Sequence, residues 1–184
     1  MMKLPKRFIA YLSLLAASGS IGLYAGNVDV AQHAAETLDF GSDGLEGESL
    51  TPYRDVAGVL TVCSGVTGSD IIPDKLYTQA ECDELDHRAM SRIVDQINPH
   101  ITANIPFTTR TALYSFAYNI GATHFETSTL IYLLNAGKTH EACDQMKLWR
   151  MAGGKVVPGL VNRRAIEKGV CDAQRFDELL HGKS

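Results

Sequence analysis

Hydrophobic and polar positions follow a helical period over most of the second half of this chain. Cys82, Leu85, Ala89, Ile93 and Ile97 recur at three- to four-residue spacing, which is the apolar stripe of an amphipathic helix. Thr78-Gln79-Ala80-Glu81 forms a capping box at its start, and Asn98-Pro99 ends it. Thr108 or Thr109 can cap a second helix carrying Ala112, Leu113, Phe116, Ala117 and Ile120, with Gly121 as its stop. Leu130 to Ala136 is a third, ended by Gly137, and Glu141 to Arg150 a fourth. A last helix is expected over Leu160 to Leu180, interrupted near Gly169.

The first half reads differently. Val59-Leu60-Thr61-Val62 is a β-branched run after Gly58, the pattern of a half-buried strand. Thr51-Pro52 marks a turn before it, so a small hairpin, the chain's only sheet, precedes the long helix. Several short helices joined by short loops form a bundle lobe. The class is α+β, mostly α. No internal repeat or low-complexity tract is present.

Residues 1–26 stand apart. Lys3, Lys6 and Arg7 precede nineteen uncharged residues, Phe8 to Gly26, about 28 Å long as a helix. That length just spans a bilayer core. Ten of the nineteen are Ala, Ser or Gly, so the run is only weakly apolar. Basic residues lie before it and acids after it, placing the N-terminus in the cytoplasm and the body outside. A cleaved signal peptide and a permanent anchor are both open readings. Residues 27–43 are acidic, and Val28, Val30, Ala31, Ala34, Ala35 and Leu38 fit a short amphipathic helix as well as a solvated linker. Residues 44–184 make the remaining domain.

Charge and cysteine content narrow the function. A formal net charge of −4 lacks the basic excess of a nucleic-acid binder. No metal-ligand spacing occurs among the six histidines, and no cofactor or metal is expected. No serine sits in a G-x-S-x-G elbow. Cys63, Cys82, Cys143 and Cys171 are even in number in a chain expected to be exported, which favours disulfides. Three pairings are possible; position in the chain suggests Cys63 with Cys82 and Cys143 with Cys171.

The candidate chemistry lies in Glu46 to Thr67. Glu46 and Asp55 flank the turn, and Thr61 follows on the strand. Two acids across a gap suit glycosidic cleavage, one donating a proton to the leaving oxygen and one acting on the opposite face of the sugar. Glu48, two residues from Glu46, is expected to face solvent.

Glu46, Asp55 and Thr61 match the Glu-x8-Asp-x5-Thr pattern of phage-type lysozymes, glycoside hydrolase family 24. Residues 110–121 (RTALYSFAYNIG), 149–159 (WRMAGGKVVPG) and Asn162-Arg163-Arg164 also resemble the endolysin branch of that family, so the likeness covers roughly residues 44–172. It implies two lobes joined by the long helix, with Glu46 as general acid and Asp55 and Thr61 positioning a water. It also implies that Asn119 binds saccharide and that Arg163 reaches back to Glu46. The substrate implied is the β-1,4 bond between N-acetylmuramic acid and N-acetylglucosamine in peptidoglycan, cleaved for host lysis by a monomer. A lytic transglycosylase and a catalytically silent wall-binding protein are the alternatives. For residues 8–26 the resemblance favours a signal-arrest-release segment, tethered transiently in the inner membrane before a periplasmic stage. One departure is local: the family usually has an aromatic residue or His, then a His, where this chain has Ser64 and Val66. In relatives the second His partners an acid in the hinge region.

Overall fold

The computed structural model describes residues 3–17, 28–41, 43–55, 58–69 and 71–173. The long helix is α3, Gln79–Ile97, and its start is the expected capping box: Thr78 accepts from the Glu81 backbone N–H, and Glu81 reaches back to the Thr78 N–H. It follows a three-stranded antiparallel sheet, β1 (Ser49–Arg54), β2 (Leu60–Cys63) and β3 (Val66–Thr67). Tyr53 pairs with Thr61 and Arg54 with Leu60, with a register shift between Ser49 and Tyr53. A small core of Val62, Cys63, Val66, Ile71, Tyr77 and Cys82 lies under the sheet. The Cys63–Cys82 disulfide ties β2 to α3 there.

The bundle lobe is built from α4 (Phe107–Ile120), α5 (Ala122–Glu126), α6 (Thr129–Asn135), α7 (Thr139–Gln145) and α8 (Pro158–Asp172). Helix α4 is its axis; ten of its residues are buried, Thr108, Thr109, Thr111 and Ser115 included. Those hydroxyls need partners inside. Thr109 donates to the Cys171 carbonyl at 2.8 Å and Thr108 to that of Ala173, stitching α4 to the end of α8. The second disulfide, Cys143–Cys171, closes α7 onto α8. Loops of 19 and 28 residues contribute about 3 kcal/mol each in the chain-entropy account.

Several boundaries move. Helix α4 starts after Pro106, ahead of the expected threonine cap. Helix α7 ends at Gln145 and passes into a 3-10 turn, Met146–Leu148. Helix α8 runs through Gly169 and ends at Asp172, so the part of the expected last helix beyond residue 173 lies outside the described residues. The glycine-rich loop holds a second, two-stranded sheet, β4 (Met151–Ala152) with β5 (Lys155–Val156).

The N-terminal region requires a correction. Helix α1, Lys6–Ala17, has twelve residues and buries Phe8, Leu12 and Leu15 on one face. Those side chains join the main core beside α2 (Val28–Asp39), which buries Ala31, Ala34, Ala35 and Leu38. Asp43 accepts from the Lys6 backbone N–H at 2.7 Å, capping the start of α1. Among the described residues no helix is long and apolar enough to cross a membrane. The bilayer span over 8–26, the inner membrane as a partner and the tethered stage of localisation are therefore withdrawn. An i, i+4, i+7 apolar stripe serves equally well to pack a short helix against protein. Residues 18–27, the rest of that run, lie outside the described residues.

Where α2 meets α3, Glu36 is held from both sides. His87 Nδ1 lies 2.9 Å from its Oε1, His33 Nδ1 3.5 Å from its Oε2, and Gln32 donates at 2.9 Å. Tyr11 of α1 packs edge-on to His33 at 4.8 Å. Arg7, Asp83 and Asp86 line the same recess.

Candidate active site

The chain after α2 doubles back on the helix it has just left. Gly41 turns with φ +84°, and a Cβ there would lie 2.1 Å from Arg7 Nη1. At Gly44 a Cβ would come within 2.2 Å of the Asp39 carbonyl oxygen, so only glycine permits this approach. Leu45 N–H then donates to the Leu38 carbonyl and Glu46 N–H to that of Asp39, at 3.1 and 2.8 Å. This return sets Glu46 beside the C-terminal end of α2.

Glu46 projects into a cleft of about 470 Å³ between the lobes, lined by Ser64 to Thr67 of the sheet, Ala89, Arg92, Ile93 and Gln96 of α3, and Tyr118 and Asn119 of α4. Its Oε1 lies 2.9 Å from Arg163 Nη1 and accepts from Asn119 Nδ2 at 3.3 Å. Asn119 Oδ1 in turn accepts from Arg164 Nη2. Both Asn119 polar atoms are thus engaged within the protein. Asn119 and Arg163, two of the expected site residues, meet at the Glu46 carboxylate.

Behind Glu46 lies a buried ionic cluster that sequence reasoning missed. Arg163, 5% exposed, donates from Nη2 to Asp39 at 2.9 Å and from Nε to Glu167 at 2.8 Å. Arg164 donates to the other Glu167 oxygen. Ser115 donates to Asp39 at 2.7 Å, while its carbonyl accepts from Arg163. Three carboxylates therefore surround two guanidiniums, with two of the acids fully buried. Burial pushes the Asp39 carboxyl up to about 7, against the pull of Arg163 and with Glu46 and Glu167 adding to the push. Burial likewise raises Glu167 against both arginines. Asp39 Oδ2 has no hydrogen-bond partner among the described residues, so a neutral acid is less costly there than a carboxylate.

Asp55 and Thr61 share a different locality. Val59 N–H donates to Asp55 Oδ1 at 2.8 Å, and the Thr61 hydroxyl donates to the Val59 carbonyl at 3.0 Å. Both side chains thus organise the connection between β1 and β2, and neither is among the residues lining the cleft around Glu46. Glu48 does not face solvent as expected. It is half-buried and accepts from Gln79 Nε2 at 2.6 Å, joining the sheet to the start of α3. Trp149 packs edge-on to Phe116 at 5.9 Å, and its carbonyl accepts from Arg164. No group of His, Cys, Asp or Glu among the described residues is arranged to hold a metal.

Ser64 and Val66 also find structural uses. Val66 is a buried member of the small core, and Ser64 N–H donates to Asp86 Oδ1 at 3.2 Å. Tyr118 donates to the Ser64 carbonyl at 3.2 Å, linking the lobes across the cleft. Asp86 is 2% exposed, and burial raises its carboxyl to about 6.

A stability profile follows from these shifts. An acid whose pKa rises on folding contributes stability below its unfolded value, near 4, and loses it as pH climbs through the folded value. For Asp86 and Asp39 that loss ends near 6 and 7. His33 is raised by its bond to Glu36, so its contribution is full below about 6.5 and also fades at higher pH. Glu36 is lowered: burial, the largest single influence, raises it, but the hydrogen bonds from His33, Gln32 and His87 and the charge of His87 together outweigh that; its contribution is lost only at the acid end. Thermal unfolding should therefore occur at a higher temperature near pH 5 than at pH 8. Asp86→Asn, which keeps the acceptor for Ser64 N–H, should flatten that slope. An equal slope in parent and variant would remove Asp86 from the account.

A sheet lobe and a helical bundle joined by one long helix, with a glutamate in the cleft held by an arginine from the last helix, define the class of lysozyme-like two-lobe folds. The phage lysozyme family matches residues 43–167, and the chain belongs to that family. It is 54% identical over 131 residues to the SAR-endolysin of Bacteriophage PS119, covering 71% of this chain and 78% of that one. It is 51% identical over 131 residues to the SAR-endolysin of Enterobacteria phage P21, covering 71% and 79%. Among solved structures it is similar to the endolysin from Escherichia coli O157:H7 phage FAHEc1, with TM-score 0.62, 27% identity, and 79% and 89% of the two chains covered. The muramidase domain of SpmX from Asticaccaulis excentricus shares the fold, with TM-score 0.67 at 23% identity over 78% and 95% of the chains.

Proposed function

We infer that this protein is an endolysin muramidase that hydrolyses the β-1,4 bond between N-acetylmuramic acid and N-acetylglucosamine in peptidoglycan and so lyses the host cell. The observation that carries the reading is the Glu46 carboxylate in the interlobe cleft, held by Arg163 and Asn119. Membership of the phage lysozyme family supports it independently.

Glu46 is assigned as the proton donor to the leaving glycosidic oxygen. Asp55 and Thr61, each hydrogen-bonded to the Val59 backbone, are assigned to hold the attacking water. Arg163 fixes the Glu46 oxygen, and Asn119 orients it and bounds the sugar site. The catalytic body proposed for residues 44–184 draws Asp39 from the preceding segment, 27–43, to anchor Arg163.

Product analysis tests the assignment. Attack by water predicts fragments ending in a reducing N-acetylmuramic acid, with inverted anomeric configuration if a water separates the acid and base. Mass spectrometry of digested peptidoglycan reads the outcome. Anhydro-muramoyl ends, lighter by one water, would instead make the protein a lytic transglycosylase.

A further inference from the structure

The cleft contains a cation that the proposed chemistry does not use. Arg92 of α3 lines it opposite the sheet, is exposed, and makes no ion pair or hydrogen bond among the described residues. One turn earlier on the same helix, Arg88 pairs with Glu84 at 3.6 Å. Arg92 has no such pair: Arg88 lies four residues before it and Gln96 four after, and although Asp95 lies three after on the same helix, no ion pair joins the two among the described residues. Arg92 and Gln96 therefore share one helix face toward the cleft. Gln96 is also exposed and without a hydrogen-bond partner among the described residues. The facing wall is open: Gly65 has φ +91° with nothing within 4 Å of an added Cβ, and Thr67 is exposed. Glu46, the acid lining the cleft, is already matched by Arg163, which leaves Arg92 without an ion pair among the described residues.

We propose that Arg92, assisted by Gln96, binds a carboxylate carried on the muramic acid side of the substrate and so makes the cleft prefer anionic glycan strands. This rests on the muramidase reading for its substrate. The sugar rings of peptidoglycan are otherwise uncharged, so a carboxylate must come from the peptide, or from the lactyl ether where no peptide is attached. A guanidinium offers a carboxylate two parallel donors, and the amide one turn away can supply a third.

Binding of the full-length Glu46→Gln chain to purified strands, at low salt, tests this without turnover. Adding Arg92→Gln should weaken binding to native strands about fivefold, the scale of an exposed charge pair. Converting strand carboxylates to amides with carbodiimide and ammonia should weaken the Arg92 chain by the same factor and leave the Arg92→Gln chain unchanged. Arg92→Lys should restore part of the loss. An amidase that strips the peptide exposes a lactyl carboxylate that is amide-bonded, and so uncharged, wherever a peptide is attached; Arg92 dependence that is lost on stripped strands assigns the peptide carboxylates, and dependence that grows there assigns the lactyl group. An Arg92→Gln chain that binds native strands as tightly as its parent, or that loses as much on amidated strands, overturns the proposal. Failure of the muramidase reading shows separately, as a wild-type chain that releases no muropeptide.

Discussion

Glu46→Gln should abolish clearing of outer-membrane-permeabilised Gram-negative cells, with the initial rate falling at least ~100-fold, the scale of a lost general acid. Its thermal midpoint should stay close to that of the parent, because the amide keeps the shape of the carboxyl and can still meet Arg163 and Asn119. Glu48→Gln supplies the contrast. Glu48 joins β1 to α3 through Gln79 and lies outside the residues lining the cleft, so its variant should clear nearly as fast as the parent. Turbidity traces of the three proteins decide the matter. A Glu46→Gln protein that clears at the parental rate would end the assignment of Glu46 as proton donor.

Arg163→Met should be the most destabilising single change in the site. The side chain is buried among Asp39, Glu46 and Glu167, and its removal leaves their charge compensated only by Arg164. Breaking a buried pair in this way costs about 3–5 kcal/mol, or roughly 10 °C in midpoint for a chain of this size. Arg163→Lys should recover only part, because one ammonium cannot reach three acceptors lying in different directions. Asp39→Asn in the Arg163→Met background should give some stability back, since it removes a carboxylate left without its cation. Calorimetry of the four proteins measures both effects. A midpoint for Arg163→Met within 2 °C of the parent would mean that the cluster contributes little.

What the sequence disclosed tracks the distance over which each feature is decided. The start of α3 was legible because the capping box lies within four residues, and the cysteine pairing because chain position brings the right elements together. The β4–β5 ribbon was missed although it has a local signal. Gly153 and Gly154 both take positive φ, 56° and 75°, which is what a two-residue hairpin turn demands. Strands of two residues leave almost no alternation to detect.

Asp39 and Glu167 show the opposite limit. Read along the chain, one is an acid near a glycine-rich linker and the other an acid on an amphipathic helix, and most such residues are solvated. Their burial exists only because α2 and α8 both pack against α4, which no local pattern encodes. The N-terminal helix failed for a related reason. Leu14 and Ile9 remain exposed while Phe8, Leu12 and Leu15 are buried, and hydropathy alone does not distinguish that face from a face toward lipid.

The bond between Asp39 and Arg163 spans 124 positions, and this separation sets a timetable for synthesis. Closing so long a loop carries an entropic cost that only contacts made afterwards repay, and contacts of high sequence separation slow folding. A ribosome making this chain releases Glu46 long before the arginine that holds it. Until α8 emerges, the nascent protein carries its acid without the guanidinium, and Asp39 has no counter-ion inside the bundle. The site can therefore assemble only after residue 163 has emerged, so that no truncated product ending before it inherits a complete site.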